Sequence, residues 1–305
     1  MTMHAVVTGS SGLVGSALVQ SLTSAGHHVT RLVRRPAGSG EIQWDPTAAG
    51  FDAGSLAGID AVVHLAGENI AAQRWTAAFK QRIRASRVQG TQALCQSLAA
   101  SPRPPRVLVS ASATGFYGDR GTEALDEQSS AGRGFLADTC REWEAATRPA
   151  QAAGIRVVLL RFGMILSARG GALAQMLLPF RLGLGGRVGD GEQIWSWIGL
   201  PDAVRAIRHC LTAESLSGPV NVVAPEPVAN REFTRVLARV LHRPAWMPVP
   251  AFAVRWAFGE MADELLLSSA RVQPRQLLES GFAFGAPTLS EALQESLRPG
   301  NPRPA

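Results

Sequence analysis

The chain has 305 residues, 46% of them hydrophobic and 18% charged, which is enough to bury one large α/β domain or two unequal ones. No apolar run approaches the roughly 20 residues that a membrane span needs, and the first residues enter a strand-like HAVVTG without a charged leader, so a cytoplasmic setting is expected. The formal charge of +6 could serve phosphates, but the arginines are scattered and often beside acids, with no basic tract interleaved by aromatics; this argues against nucleic acid and for attraction of anionic small molecules. Lys80 is the single lysine and Tyr117 the single tyrosine. The three cysteines, Cys95, Cys140 and Cys210, are widely spaced among apolar residues and read as buried free thiols, with no metal site.

In chain order, short β-branched runs alternate with longer helical patterns. Strands are predicted at HAVVT (4–8), HVTRLV (28–33), DAVVHLA (60–66), RVLVSAS (106–112) and IRVVLLRFG (155–163). Nearly continuous apolar strands separated by helices indicate an α/β protein with a doubly wound parallel sheet covered on both faces, the Rossmann arrangement. Helical stripes recur at Val14, Leu18, Leu22 and Ala25, at Trp75, Phe79 and Ile83, and at Leu136, Cys140 and Trp143. After residue 165 the alternation weakens. A glycine-rich stretch (182–193) precedes IWSWIGLPD, a helix near 202–213, a strand PVNVVA (219–224) and proline-separated helices. The expected division is a dinucleotide-binding domain over 1–165, to which 187–224 returns, and a smaller, mainly helical substrate-capping lobe from 166–186 and 225–298. Residues 299–305 read as a disordered tail.

The first strand runs directly into TGSSGLVG, with Gly9, Gly12 and Gly15 between it and the first helical stripe. Gly9 permits the tight turn, Gly12 lets backbone approach a pyrophosphate, and Gly15 lets helix pack on strand. The open helix N–H groups supply the positive end of a dipole. At the end of the second strand stands RLVRRP, with Arg34 and Arg35 and no carboxylate before Glu41. A planar guanidinium fork suits a ribose 2′-phosphate, so NADP(H) is expected in preference to NAD(H), against the plainer reading of a solvated arginine pair.

The blocks TGSSGLVG (8–15), DAVVHLAGENI (60–70), RWTAAFKQRIRASRVQGT (74–91), SASATGFYG (110–118), FLADTCREWE (135–144), LLRFGMIL (159–166) and WSWI (195–198) resemble the extended short-chain dehydrogenase/reductase superfamily. Within it the likeness is to atypical "epimerase family" proteins, which are NAD-dependent epimerase/dehydratase-like and carry a small C-terminal domain of unknown function; GEMADELLL (259–267) and RVQPRQLLESGFAF (271–284) match that end. The resemblance implies NADP(H) on a Rossmann fold, a small-molecule substrate and, as in relatives, a homodimer. Its cofactor contacts would be Gly9, Ser10, Ser11, Gly12, Leu13, Val14, Gly15, Arg34, Arg35, Leu65, Ala66, Gly67 and Arg161. Glu68, Asn69, Lys80, Trp195 and Trp197 are the substrate candidates, each with a plainer reading as turn, solvated face or packing residue.

The resemblance also exposes a gap. Superfamily members carry a Tyr-x-x-x-Lys pair on the helix after the serine loop, the tyrosine protonating a carbonyl and the lysine lowering its pKa. The matching stretch here offers Phe135 or Leu136 and then Thr139 or Cys140. Ser112 remains as a hydroxyl to orient a substrate oxygen. Tyr117, one residue out of the superfamily's register, is either a substitute acid or a packed loop anchor. Two functions follow from this. One is an oxidoreductase or epimerase acting by hydride transfer on a carbonyl or sugar-nucleotide substrate; the other is a catalytically weak or inactive NADPH-sensing binding protein.

Overall fold

The computed structural model describes residues 2–46, 56 and 58–298; the tail at 299–305 lies outside the described residues. Seven strands form the main sheet: His4–Thr8 (β1), His28–Val33 (β2), Glu41–Gln43 (β3), Ala61–His64 (β4), Val107–Ala113 (β5), Arg156–Phe162 (β6) and Gly218–Val222 (β7). Their spatial order is β7-β6-β5-β4-β1-β2-β3. Registers such as Val6↔Val62, Val63↔Val109 and Arg31↔Glu41 are parallel. Such pairing needs a crossover between neighbours, and covering helices on both faces explain why β4 is buried at every position and β5 at all but its last. The expected doubly wound α/β sheet is therefore present.

Leu13–Ser24 (α1) starts immediately after Gly12, with no side chain capping its first turn, and turns Leu18, Val19 and Leu22 inward. Ala77–Ala99 (α2) is capped by Thr76, whose hydroxyl accepts from the Phe79 amide at 3.2 Å. Phe135–Ala145 (α3) follows the serine loop, and its first amides, Phe135 and Leu136, donate to the two carboxylate oxygens of Glu264 at 2.9 and 3.1 Å. The chain separates into two compact units. One comprises Met1–Ser112, Thr139–Leu160 and Ile207–Val220; the other comprises Ala113–Asp138, Arg161–Ala206 and the chain from Asn221 onward.

The first unit's core includes Val6, Leu32, Val62, Leu94, Leu98, Leu108 and Leu159. In the second unit, Leu173, Leu177 and Phe180 of Gly171–Arg181 (α4) pack with Phe233 and Leu237 of Asn230–Leu241 (α5) and with Leu289 and Leu293 of Leu289–Leu297 (α6). Burying roughly 1.5–3 kcal/mol per such side chain is what these apolar stripes exist to do. No helix among the described residues is long and apolar enough to cross a membrane.

Candidate dinucleotide and catalytic site

The turn after β1 is made of main chain. Gly9 adopts φ +64°, a left-handed conformation that side chains resist, and the Gly9 carbonyl accepts from the Gly12 amide at 3.0 Å. A Cβ on Gly9 would lie 2.7 Å from the Leu65 carbonyl group, so the turn touches the end of β4 directly. Ser10 and Gly15 are buried, Ser11 and Gly12 are exposed, and Leu13 and Val14 are half-buried. With no acidic residue in the first turn of α1, its amides face no competing anion within that turn. A pyrophosphate fits this cradle: the backbone can be approached closely, and its open donors carry the positive end of a dipole.

The floor beneath the cradle is a polar chain sealed from water. Thr8 Oγ1 accepts from the Leu65 and Ala66 amides, both at 3.1 Å, so its own proton goes to His64 Nδ1 at 2.8 Å. His64 then carries its proton on Nε2 and donates to Thr91 Oγ1 at 3.0 Å, where Trp143 Nε1 also donates at 2.9 Å. Burial pushes the His64 pKa down to about 4 and keeps the ring neutral. These groups link β1, β4, α2 and α3, fixing Leu65 and Ala66 beside the glycine turn. Gly67 is exposed just beyond them.

At the end of β2 the two arginines differ. Arg35 is held by both Glu41 oxygens at 2.7 Å, and the same contact is the main cause lowering the Glu41 pKa. Arg34 is exposed. Further along, Glu68 is positioned through its backbone, its amide donating to Ser86 Oγ and its carbonyl accepting from Arg87. Asn69 closes a turn by accepting from the Ala71 amide at 3.0 Å. Lys80 is half-buried near the start of α2. Arg84 is paired with Glu142, and Arg87 lies over the Trp143 ring at 5.1 Å, so both cations are engaged within this unit.

Ser112, 3% exposed, stands at the carboxyl end of β5, and its Oγ donates to Glu144 Oε1 at 2.7 Å. Glu144 was not among the expected site residues. The available signal was helical spacing: Leu136, Cys140 and Glu144 recur every four positions along α3.

In the other unit, Tyr117 ends a short 3-10 turn, Thr114–Tyr117, and is fully buried. Its hydroxyl lies 2.9 Å from the Asp126 carbonyl and 2.7 Å from Asn221 Oδ1, both acceptors, and it accepts from Arg161 at 3.0 Å. Burial pushes its pKa up to about 12, outweighing the adjacent guanidinium. Arg161 is itself buried, its guanidinium 3.5 Å above the Phe116 ring. Trp195 and Trp197 are packed in that unit's core. Trp195 meets Phe233 edge-on at 5.4 Å, and Trp197 Nε1 donates to the Glu226 carbonyl at 2.9 Å. Asp202 accepts from the Gly285 and Ala286 amides and pairs with Arg205, which ties the helix Leu200–Thr212 to the C-terminal segment.

Sheet order, the bare glycine turn and the serine near the end of β5 together define a Rossmann nucleotide-binding fold of the short-chain dehydrogenase/reductase type. The model of the NAD dependent epimerase/dehydratase family matches residues 5–224, and a domain of unknown function, DUF1731, matches residues 249–296. The chain belongs to the NAD dependent epimerase/dehydratase family. It is 49% identical over 296 residues to the epimerase family protein Mb2239 of Mycobacterium bovis, covering 96% of this chain and 98% of that one. The crystal structure of human epimerase family protein SDR39U1 (isoform 2) with NADPH matches at a TM-score of 0.89 and 36% identity, over 96% of this chain and 98% of that chain. A nucleoside-diphosphate sugar epimerase from Corynebacterium glutamicum matches at 0.82 and 37% identity, over 97% of this chain but 58% of that chain.

Proposed function

We propose that the chain is an NADP(H)-dependent oxidoreductase or epimerase that moves a hydride to or from a hydroxyl- or carbonyl-bearing small molecule. The observation that carries this is the glycine turn, whose backbone groups are open at the N-terminus of α1. Gly9, Ser10, Ser11, Gly12, Leu13, Val14 and Gly15 would hold the pyrophosphate, and Leu65, Ala66 and Gly67 would flank the dinucleotide at the adjoining strand end. Arg34 would meet the 2′-phosphate, since Arg35 already has a carboxylate partner. When bound, the dinucleotide supplies hydride exchange, and Ser112 orients the substrate oxygen. The NADPH in the human relative supports the phosphorylated cofactor. Tyr117 we place as the anchor of its loop: a general acid near neutral pH needs a lowered pKa, and this phenol has a raised one.

Calorimetric titration of the purified chain with NADPH, NADP⁺ and NADH tests the cofactor, and absorbance at the reduced-nicotinamide band across a panel of carbonyls tests turnover. Micromolar binding of NADPH, weaker binding of NADH and substrate-dependent oxidation are expected. Absence of heat with either redox state of the phosphorylated dinucleotide counts against the whole reading. The second reading, an NADPH-sensing binding protein, is favoured by the stretch where the superfamily's pair would stand, which offers Phe135 or Leu136 and then Thr139 or Cys140. It requires tight binding with no turnover by any member of the panel.

A further inference from the structure

We propose that Ser112 and Glu144 form the proton-accepting pair of this site, so that Ser112 receives a substrate hydroxyl in its resting state. The inference rests on the NADP(H)-dependent reading above. A serine hydroxyl has one proton and two lone pairs, while a carboxylate only accepts. With the Ser112 proton committed to Glu144 Oε1 at 2.7 Å, Ser112 offers only lone pairs to a ligand. A hydroxyl group completes that arrangement by donating into it. A carbonyl would bring two acceptors face to face and leave a buried lone pair unsatisfied.

The pair is built on regular elements. Ser112 is the penultimate residue of β5, at the carboxyl end where such sheets take their ligands. Glu144 belongs to the last turn of α3, whose adjacent Trp143 is locked by its hydrogen bond to Thr91 and by Arg87 over its ring. Thr147 Oγ1 also donates to the Glu144 carbonyl at 2.8 Å. Leu136, Cys140 and Glu144 share one face of α3, and the first two offer neither a phenol nor an ammonium. The helix thus carries a carboxylate about two turns beyond Leu136.

In the oxidising direction the substrate O–H proton passes to Ser112 Oγ as the Ser112 proton passes to Glu144 Oε1. The electron pair of the adjacent C–H bond leaves as hydride to the oxidised nicotinamide dinucleotide, and the C=O bond forms. Reduction runs the same transfers backwards, starting from protonated Glu144. Glu144 therefore acts through Ser112 as a positioning and proton-accepting residue, and Ser112 is the group that touches substrate.

The pair is tested first without turnover, by ¹³C NMR of the full chain labelled at the glutamate carboxyl carbon. The Glu144 resonance is assigned by its loss in Glu144→Gln. We expect an ionised carboxylate at pH 7 whose resonance moves when Ser112→Ala removes the donor, with the NADPH Kd of all three chains equal within about threefold. A resonance indifferent to Ser112→Ala, or a protonated Glu144 at pH 7, overturns the pairing. In the second arm, NADP⁺ is offered with a panel of secondary alcohols and free sugars. Ser112→Ala and Glu144→Gln should each lower kcat at least about a hundredfold with NADP⁺ affinity intact, and Glu144→Asp should restore part of it. An undiminished kcat in Glu144→Gln overturns the proposal. Failure of the unmodified chain to bind NADPH overturns the cofactor reading instead, and the NMR arm tells the two apart.

Discussion

Gly15 approaches Gly9 so closely that a Cβ on it would lie 2.8 Å from the Gly9 carbonyl carbon and 2.9 Å from the Ser10 Cα. Helix and turn therefore meet backbone to backbone, and any side chain at this position must push α1 away from β1. Gly15→Ala should lose at least about tenfold in NADPH affinity, and about 1–3 kcal/mol of stability from overpacking. A Cβ on Gly12 would meet only the Gly9 carbonyl oxygen, at 3.2 Å. Gly12→Ala should therefore fold nearly as well and lose binding alone. Denaturant unfolding and NADPH titration of both variants check the contrast; equal stability losses would mean that the close contact is not the cause.

The second prediction separates Arg34 from Arg35. Arg35 and Glu41 are joined by two hydrogen bonds of 2.7 Å across neighbouring strand ends, whereas Arg34 is exposed. Arg34→Ala should weaken NADPH binding by about tenfold, the low end for a charge-assisted contact, and leave NADH binding unchanged. Arg35→Ala should have a smaller effect, and Glu41→Gln should strengthen NADPH binding by freeing a second cation. Parallel titrations with both dinucleotides measure this; equal losses for NADPH and NADH in Arg34→Ala would remove the 2′-phosphate from the account.

What was legible in the sequence is what local pattern encodes. Apolar strands between amphipathic helices and a glycine turn directly after β1 are contiguous signals, and they lead to the sheet that is present. The polar pairings are not contiguous. Thr8 and His64 are 56 positions apart, Ser112 and Glu144 are 32, and Tyr117 and Asn221 are 104. Only the fold brings them together, so the tautomer of His64 and the partner of Ser112 left no mark in spacing alone. Arginine offers a further case: Arg34 and Arg35 read as two equivalent cations until the structure places both Glu41 carboxylate oxygens on Arg35. Trp195 and Trp197 were legible as large rings in a glycine-rich region, yet only the strand geometry shows both packed in a core.

Tyr117→Phe is predicted to affect stability far more than chemistry. Removing the hydroxyl leaves the buried Arg161 guanidinium and Asn221 each short of a partner, a loss of about 1–3 kcal/mol. NADPH affinity and any turnover should stay within about twofold of the parent. Unfolding curves and steady-state rates on the same preparations decide between anchor and acid: a collapse of kcat with stability unchanged would restore the phenol to the chemistry.

His64 makes the fold sensitive to acid, and the sign follows from its environment. The ring is fully buried and its pKa is about 4, whereas an unfolded chain would protonate it near 6.5. Between those values the unfolded state binds the extra proton, so stability rises with pH across this window. The contribution is complete above about 6.5, is lost progressively as pH falls, and is gone near pH 4. Its size is at most about 3.5 kcal/mol, from roughly 1.4 kcal/mol per unit of pKa. The hydrogen bonds give the structural reason. A second proton on the ring would occupy Nδ1, and Thr8 Oγ1, already accepting from the Leu65 and Ala66 amides, would have to turn its own proton away. His64→Gln removes the titrating group, so the difference in unfolding free energy between parent and variant should shrink steadily from pH 7 to pH 4.5. Parallel stability curves for the two chains across that range would mean that His64 is not the group responsible, and the Leu65–Ala66 segment would then need another explanation for its placement beside the glycine turn.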